Sequence, residues 1–110
     1  MEKSGFLTFE TAQKIAEKYS TPCYVYDEAA LVAQAKKALA FPNAFGLTVR
    51  FAMKASSNRA ILRLFGSLGL HIDASSAYEV ERAMLAGIPA DRISLSSQQL
   101  PENLAELARA

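Results

Sequence analysis

Hydrophobic and polar residues follow two different periodicities along this chain, and these predict its helices and strands. Apolar residues at helical spacing predict helices at about 8–19, 28–40, 59–68 and 77–86. Short apolar runs predict strands at 24–26, 48–53, 70–74 and 92–96, and a last helix is expected to start at Pro101. From residue 48 onward strand and helix alternate with short connections, which predicts right-handed βαβ units and a parallel sheet.

The ends of the predicted helices carry residues that suit helix termini. Asp27 and Asn58 stand where side chains cap the helices that follow them, and Gly69 and Gly87 stand where two helices stop. Ser20 to Pro22 ends the first helix, because the residue before a proline avoids the helical region.

Within the last three predicted strands, side chains alternate between an apolar and a polar face. The apolar face carries Val49, Phe51, Met53, Leu70, Ile72, Ala74, Ile93 and Leu95, and the polar face carries Arg50, Ala52, Lys54, His71, Asp73, Ser75, Ser94 and Ser96. We expect the helices to cover the apolar face. The polar face fits either the inside of a barrel whose mouth holds a polar ligand or an open two-layer sheet with one face in water.

Lys54 and Asp73 form the candidate reactive site, because each lies at the carboxyl end of a predicted strand. In parallel α/β barrels reactive residues occupy those ends. A lysine in a partly dry pocket becomes a nucleophile toward a carbonyl, and a nearby carboxylate steadies the positive charge of a protonated imine. The alternative is a lysine whose stem packs while its ammonium group reaches water.

Composition narrows the classes of function. The chain has 110 residues, a formal net charge of +1 and 51% hydrophobic residues, which is typical of a soluble domain and gives no electrostatic argument for nucleic acid or an anionic membrane. No apolar run approaches the roughly 20 residues of a membrane span. A single cysteine, Cys23, fits a reducing cytoplasm and is expected to be a buried, inert side chain.

Three stretches, residues 21–27 (TPCYVYD), 50–58 (RFAMKASSN) and 70–76 (LHIDASS), together with Glu79, resemble the alanine-racemase-like, fold-type III enzymes that depend on pyridoxal 5'-phosphate (PLP). Within that group, which includes ornithine and arginine decarboxylases, the likeness is greatest to the diaminopimelate decarboxylases. The motifs occur in the family's order and spacing from about residue 20 to the last residue.

The resemblance implies a role for three residues of the polar face. Lys54 matches the lysine that carries PLP as an imine, and Ala52 matches a small residue beside the cofactor. Asp73 matches an aspartate near the cofactor and that lysine. We therefore expect Lys54 and Asp73 to be catalytic, Lys54, Ala52 and Asp73 to bind the cofactor, and no metal to be involved.

Neighbouring polar residues have simpler interpretations. Glu79 matches an acidic residue of the family, but Ser76 to Glu79 is also a capping box in which Glu79 would reach the backbone of Ser76. Asp73 on the inward face needs a partner, and an ion pair with Lys54, Arg50 or His71 is the alternative to a role near the cofactor. His71 is expected to be a packed, hydrogen-bonded histidine.

The resemblance implies a fold, an organisation and a reaction. We expect residues 1–27 to precede the barrel, and residues 28–110 to form its first βα units, as a partial (β/α)8 barrel with about three parallel strands. The implied reaction is decarboxylation of meso-diaminopimelate to L-lysine, with ornithine- or arginine-type decarboxylation as the alternative. The intact enzyme is expected to be a cytoplasmic homodimer that acts on a small amino-acid substrate.

The chain also departs from the family. Ser56 stands where many relatives have asparagine. A complete barrel needs about 250 residues, and the cofactor-stacking histidine, the glycine-rich phosphate loop and the acidic partner of the pyridine nitrogen lie downstream in the family. We therefore expect the 110 residues alone to be inactive. A hypothesis of another class is a non-catalytic folding unit that self-associates through an unpaired strand edge.

Overall fold

The computed structural model describes residues 5–110, which divide into an N-terminal unit that ends at Leu31 and a larger unit from Val32 to Ala110. Its helices are α1 (Phe9–Tyr19), α2 (Glu28–Leu39), α3 (Arg59–Ser67), α4 (Ala77–Leu85) and α5 (Leu104–Arg109). Its strands are β1 (Arg50–Ala52), β2 (His71–Ala74) and β3 (Ile93–Leu95), and a short 3-10 turn (Ala90–Arg92) precedes β3.

In the N-terminal unit, α1 forms as predicted, but the strand predicted at 24–26 is absent. The unit has no strand in its described residues to pair with that run, and an extended segment without a partner has no ladder for its backbone groups. Tyr24 is 93% exposed. The prediction that Cys23 is buried is also wrong, because its side chain is exposed.

The helix ends follow the capping residues for the most part. Asp27 Oδ1 accepts a hydrogen bond from the amide of Ala30 at 3.2 Å, and Asn58 Oδ1 accepts one from the amide of Ala60 at 2.9 Å. Gly69 and Gly87 follow α3 and α4 with φ of +99° and +88°, in the left-handed region that glycine adopts at no steric cost. These predicted caps and stops are confirmed.

The prediction that the last helix starts at Pro101 is wrong, because the helix starts at Leu104. Pro101 precedes a turn in which the amide of Leu104 donates to the carbonyl of Pro101 at 3.1 Å. The proline therefore opens a turn, and only the residues after it continue as α5. Within residues 5–110, no helix is both long enough and apolar enough to cross a membrane.

The larger unit contains a parallel sheet with strand order β1-β2-β3. Ala52 pairs with Asp73, and Asp73 pairs with Ser94. The strands are shorter than predicted, although backbone hydrogen bonds from His71 to Val49 and from Met53 to Asp73 continue the pairing beyond both ends of β1. The α/β prediction is confirmed, and the arrangement is consistent with the first part of a parallel α/β barrel.

The apolar face of the sheet packs under α3 and α4, as the alternation predicts. The buried core of this unit contains Met53, Leu62, Ile72, Ala74, Val80, Ala83, Ala86 and Ile88. Phe51 packs edge-on against Phe65 with ring centroids 4.8 Å apart, and Arg63 Nε donates to the carbonyl of Ala86 at 2.9 Å. This packing fixes the strands whose other face carries the polar residues.

Candidate functional site

Lys54 lies two residues beyond the last residue of β1, in the turn that leaves the strand. The amide of Ala55 donates to the carbonyl of Ala52 at 3.1 Å and tightens this turn. Met53 is wholly buried, whereas Lys54 is exposed. Among the residues that the structure describes, no hydrogen bond or ion pair involves the Lys54 ammonium group, so it is available to a ligand.

Asp73 lies in the middle of the polar face, and its register neighbours are Ala52 on β1 and Ser94 on β3. Lys54 lies beyond the last paired residue of β1, in the turn closed by the hydrogen bond from Ala55 to Ala52, so the strand register does not extend to it. Of the three predicted site residues, Ala52 and Asp73 therefore share one face of the sheet, and Lys54 follows the carboxyl end of β1.

The Asp73 carboxylate is held by two hydroxyl groups of the neighbouring strand. Ser96 Oγ donates to Asp73 Oδ1 at 2.6 Å, and Ser94 Oγ lies 3.2 Å from the same oxygen. None of the expected ion-pair partners bonds to it in the described part of the chain, and its register partner on β1 is the uncharged Ala52. The ion-pair alternative for Asp73 is therefore replaced by a hydroxyl-bound carboxylate.

His71 lies one row below Asp73, opposite Arg50 in the register. Its side chain is partly buried, and its Nδ1 atom is fully enclosed without a hydrogen-bond partner among residues 5–110. The expectation of a packed histidine is confirmed, but the expected hydrogen bond is absent at this atom. His71 thus occupies the lower part of the polar face and does not contact the Asp73 carboxylate in the described residues.

The loop that follows Lys54 is anchored where it enters α3. Asn58 caps α3, as described above, and Arg82 of α4 donates to the carbonyl of Ser57 at 3.3 Å. The Arg82 side chain also lies over the ring of Tyr78, 5.8 Å from its centroid. Because α4 holds the loop, the turn that presents Lys54 is attached to the same helix that follows Asp73.

Glu79 acts as part of the cap of α4. Ser76 Oγ accepts a hydrogen bond from the amide of Glu79 at 3.2 Å, as predicted for a capping box. The carboxylate of Glu79 reaches the amide of Ser75 at 2.6 Å, one residue before the amide that the box predicts.

Ser94 and Ser96 are the site residues that the sequence interpretation missed. The alternation of the third strand predicts that they lie on the polar face, but it assigns no partner to them. The signal that could have identified them is their spacing, since two serines two residues apart share one face of a strand next to the strand of Asp73. In the described residues no cluster of three or more metal-ligand side chains occurs.

Comparison with known proteins identifies the family of this chain. A model of the family described as pyridoxal-dependent decarboxylase, pyridoxal binding domain, matches residues 29–109. The chain is 42% identical over 99 residues to a diaminopimelate decarboxylase of Zymomonas mobilis, an alignment that covers 86% of this chain and 24% of that protein.

Two further relatives have the same name. The diaminopimelate decarboxylase of Bacillus subtilis is 44% identical over 84 residues, covering 72% of this chain and 18% of the relative. That of Streptomyces coelicolor is 42% identical over 72 residues, covering 66% of this chain and 15% of the relative. The chain thus spans about a quarter or less of the length of these relatives. Since the family match includes most of its residues, the chain belongs to the pyridoxal-dependent decarboxylase family, in the region of the pyridoxal binding domain.

Proposed function

We propose that this chain is the N-terminal part of a PLP-dependent decarboxylase that converts meso-diaminopimelate to L-lysine and carbon dioxide. One observation carries the proposal: Lys54 stands exposed and without a partner in the described residues at the carboxyl end of β1. It lies two residues beyond Ala52, whose register partner on β2 is Asp73. A lysine amine that has no other partner can form an imine with the carbonyl group of a cofactor.

The residues present fit the aldehyde end of PLP, the cofactor that the family implies. When bound, PLP supplies an electron sink for the negative charge left on a substrate carbon after carbon dioxide departs. Lys54 Nζ would hold the cofactor through its carbonyl carbon, and the small side chain of Ala52 leaves room for the ring. Asp73 would stabilise positive charge near the Lys54 nitrogen.

The choice of substrate rests on the relatives. The proteins compared above carry the name diaminopimelate decarboxylase, which supports meso-diaminopimelate over ornithine or arginine. Direct assay of the intact protein with the three amino acids would separate these alternatives. Carbon dioxide release from ornithine or arginine, with none from meso-diaminopimelate, would contradict the proposed substrate.

The proposal extends to organisation and setting. Residues 28–110 would form the first βα units of the barrel, with residues 1–27 preceding them, and the intact enzyme would be a homodimer in the cytoplasm. Within the described sheet, β1 and β3 are the outer strands. An unpaired strand edge attracts another strand, so self-association of the 110-residue chain is the second candidate property. A strict monomer in light scattering across a concentration series would contradict it.

The test of the cofactor site is a trapping experiment on the 110-residue chain. After incubation with PLP and reduction with borohydride, peptide mass spectrometry should map the adduct predominantly to Lys54. The Lys54→Arg variant should lose that adduct, while labelling of the exposed pair Lys36 and Lys37 on α2 serves as the internal control. Even labelling of all lysines would contradict a competent site in this chain.

A further inference from the structure

The two hydroxyl groups at Asp73 bind the same carboxylate oxygen. Ser96 makes the shorter bond to Oδ1, at 2.6 Å, while the Ser94 hydroxyl lies 3.2 Å from Oδ1 and 3.4 Å from the carbonyl of Ile72. Ser94 is therefore shared between two acceptors, and Ser96 is the principal donor. We propose that Ser96, assisted by Ser94, is a positioning residue that fixes the rotation of the Asp73 carboxylate.

The second oxygen of Asp73 is left open by this arrangement. In the described residues no hydrogen bond reaches Oδ2, and Oδ2 is not among the buried polar atoms that lack a partner, so it is accessible to solvent. With Oδ1 held from the β3 side, the carboxylate cannot rotate freely. Oδ2 thereby remains open on the polar face.

The backbone at Ser96 makes it suitable for this task. Ser96 follows β3, but its amide still donates to the carbonyl of Ala74 on β2 at 2.8 Å. This bond extends the parallel ladder by one step beyond β3 and fixes the Cα position of Ser96. The Ser96 hydroxyl therefore projects from backbone that is hydrogen-bonded to β2, although the side chain itself is exposed.

The hydroxyl groups that hold Asp73 are also expected to affect Lys54. This part of the inference rests on the proposed function. A carboxylate without donors would attract the nearest cation, and an ion-paired lysine is held in its protonated form, which cannot attack a carbonyl. The structure shows the opposite state, in which Asp73 has its donors and Lys54 has no partner among the described residues. We therefore expect loss of the Ser96 hydroxyl to make Asp73 a competitor for the Lys54 amine.

The first test measures the carbon-13 signal of the Asp73 carboxyl group in the absence of any cofactor. The variants Ser96→Thr and Ser96→Val have side chains of similar shape that differ in the hydroxyl, and both suit an extended backbone. In carbon-13 NMR at fixed neutral pH, the Asp73 side-chain carboxyl signal should keep its position in Ser96→Thr and move in Ser96→Val. The Ser67→Ala variant is the control, because its hydroxyl bonds only within α3, to the carbonyl of Leu64.

An Asp73 signal that stays in place in Ser96→Val, in a variant whose other signals show the native fold, would overturn the proposal. So would equal displacement in the threonine and valine variants. Backbone amide spectra recorded on the same samples show whether each variant is folded, and Ser96→Ala provides a third side chain if the valine variant is not.

The second test measures how fast Lys54 forms an adduct with PLP. Under the trapping conditions described above, the rate of adduct formation at Lys54 should fall roughly fivefold in Ser96→Val, the loss expected from one hydrogen bond, and recover in Ser96→Thr. Absence of a Lys54 adduct in the unaltered chain would contradict the proposed function alone, because the carboxyl signal is measured without PLP. An unchanged rate in Ser96→Val beside a normal adduct in the unaltered chain would overturn the role of Ser96 toward Lys54.

Discussion

Glu79 Oε2 accepts a hydrogen bond from the backbone amide of Ser75 at 2.6 Å. The contact joins the first turn of α4 to the residue that follows β2, two positions beyond Asp73. A carboxylate near the start of a helix is also favoured by the partial positive charge of the helix N-terminus. Glu79 therefore sets the path of the chain as it leaves the strand that carries Asp73.

Replacing Glu79 by alanine should destabilise the fold by about 1 kcal/mol, because the change removes a cap and a favourable charge at the start of α4. Urea unfolding followed by circular dichroism measures the loss. Glu81→Ala is the matched control, since Glu81 is an exposed carboxylate on the same helix. Equal midpoints for the two variants would show that the contact with Ser75 contributes nothing.

How much the sequence predicts depends on whether a signal is local. Asn58 and Gly87 act within one turn of their own helices, and both were predicted correctly. The alternation of β2 predicted the face on which Asp73 lies, but not its partners. The hydroxyls of Ser94 and Ser96 reach Asp73 only because β3 pairs with β2 in one particular register, and a strand sequence does not specify its neighbour's register.

Errors of the opposite kind occurred where a local signal lacked tertiary support. Tyr24 and its neighbours have strand-forming side chains, yet no strand in the described part of their unit pairs with them. Pro101 suits the first turn of a helix, but the chain makes a turn there before α5 begins. In both cases the residue types are compatible with the predicted element. The missing strand partner at Tyr24 and the turn at Pro101 determined the structure instead.

Gly87→Ala should destabilise the protein by roughly 1 kcal/mol, the cost of a side chain in the left-handed region. A Cβ atom at this position would meet no other atom within 4 Å, so backbone strain is the expected cause. Gly87→Asn is the matched variant, because asparagine enters that region more readily. Thermal unfolding should place the asparagine variant between the parent and alanine; an alanine variant as stable as the parent would contradict the argument.

Leu62→Ala should cost about 2–5 kcal/mol, because the Leu62 side chain is wholly buried beneath the sheet and its removal leaves a cavity. The control is Leu85→Ala on α4, where the leucine is 76% exposed and truncation should change stability little. Urea unfolding of both variants gives the comparison. Similar losses at the two positions would mean that the exposed surface of α4 is covered by other parts of the protein.

The adjacent residues Met53 and Lys54 are expected to differ in role, Met53 contributing to stability and Lys54 to cofactor binding. Met53 is wholly buried in the core, so Met53→Ala should cost about 2–5 kcal/mol of stability. Lys54→Ala should leave the urea midpoint unchanged, because the Lys54 side chain is exposed and bonds to nothing in the described residues. The same Lys54 variant should lose the trapped PLP adduct. A marked loss of stability at Lys54 would show that its side chain supports the fold, and its availability for a cofactor would no longer follow from the structure.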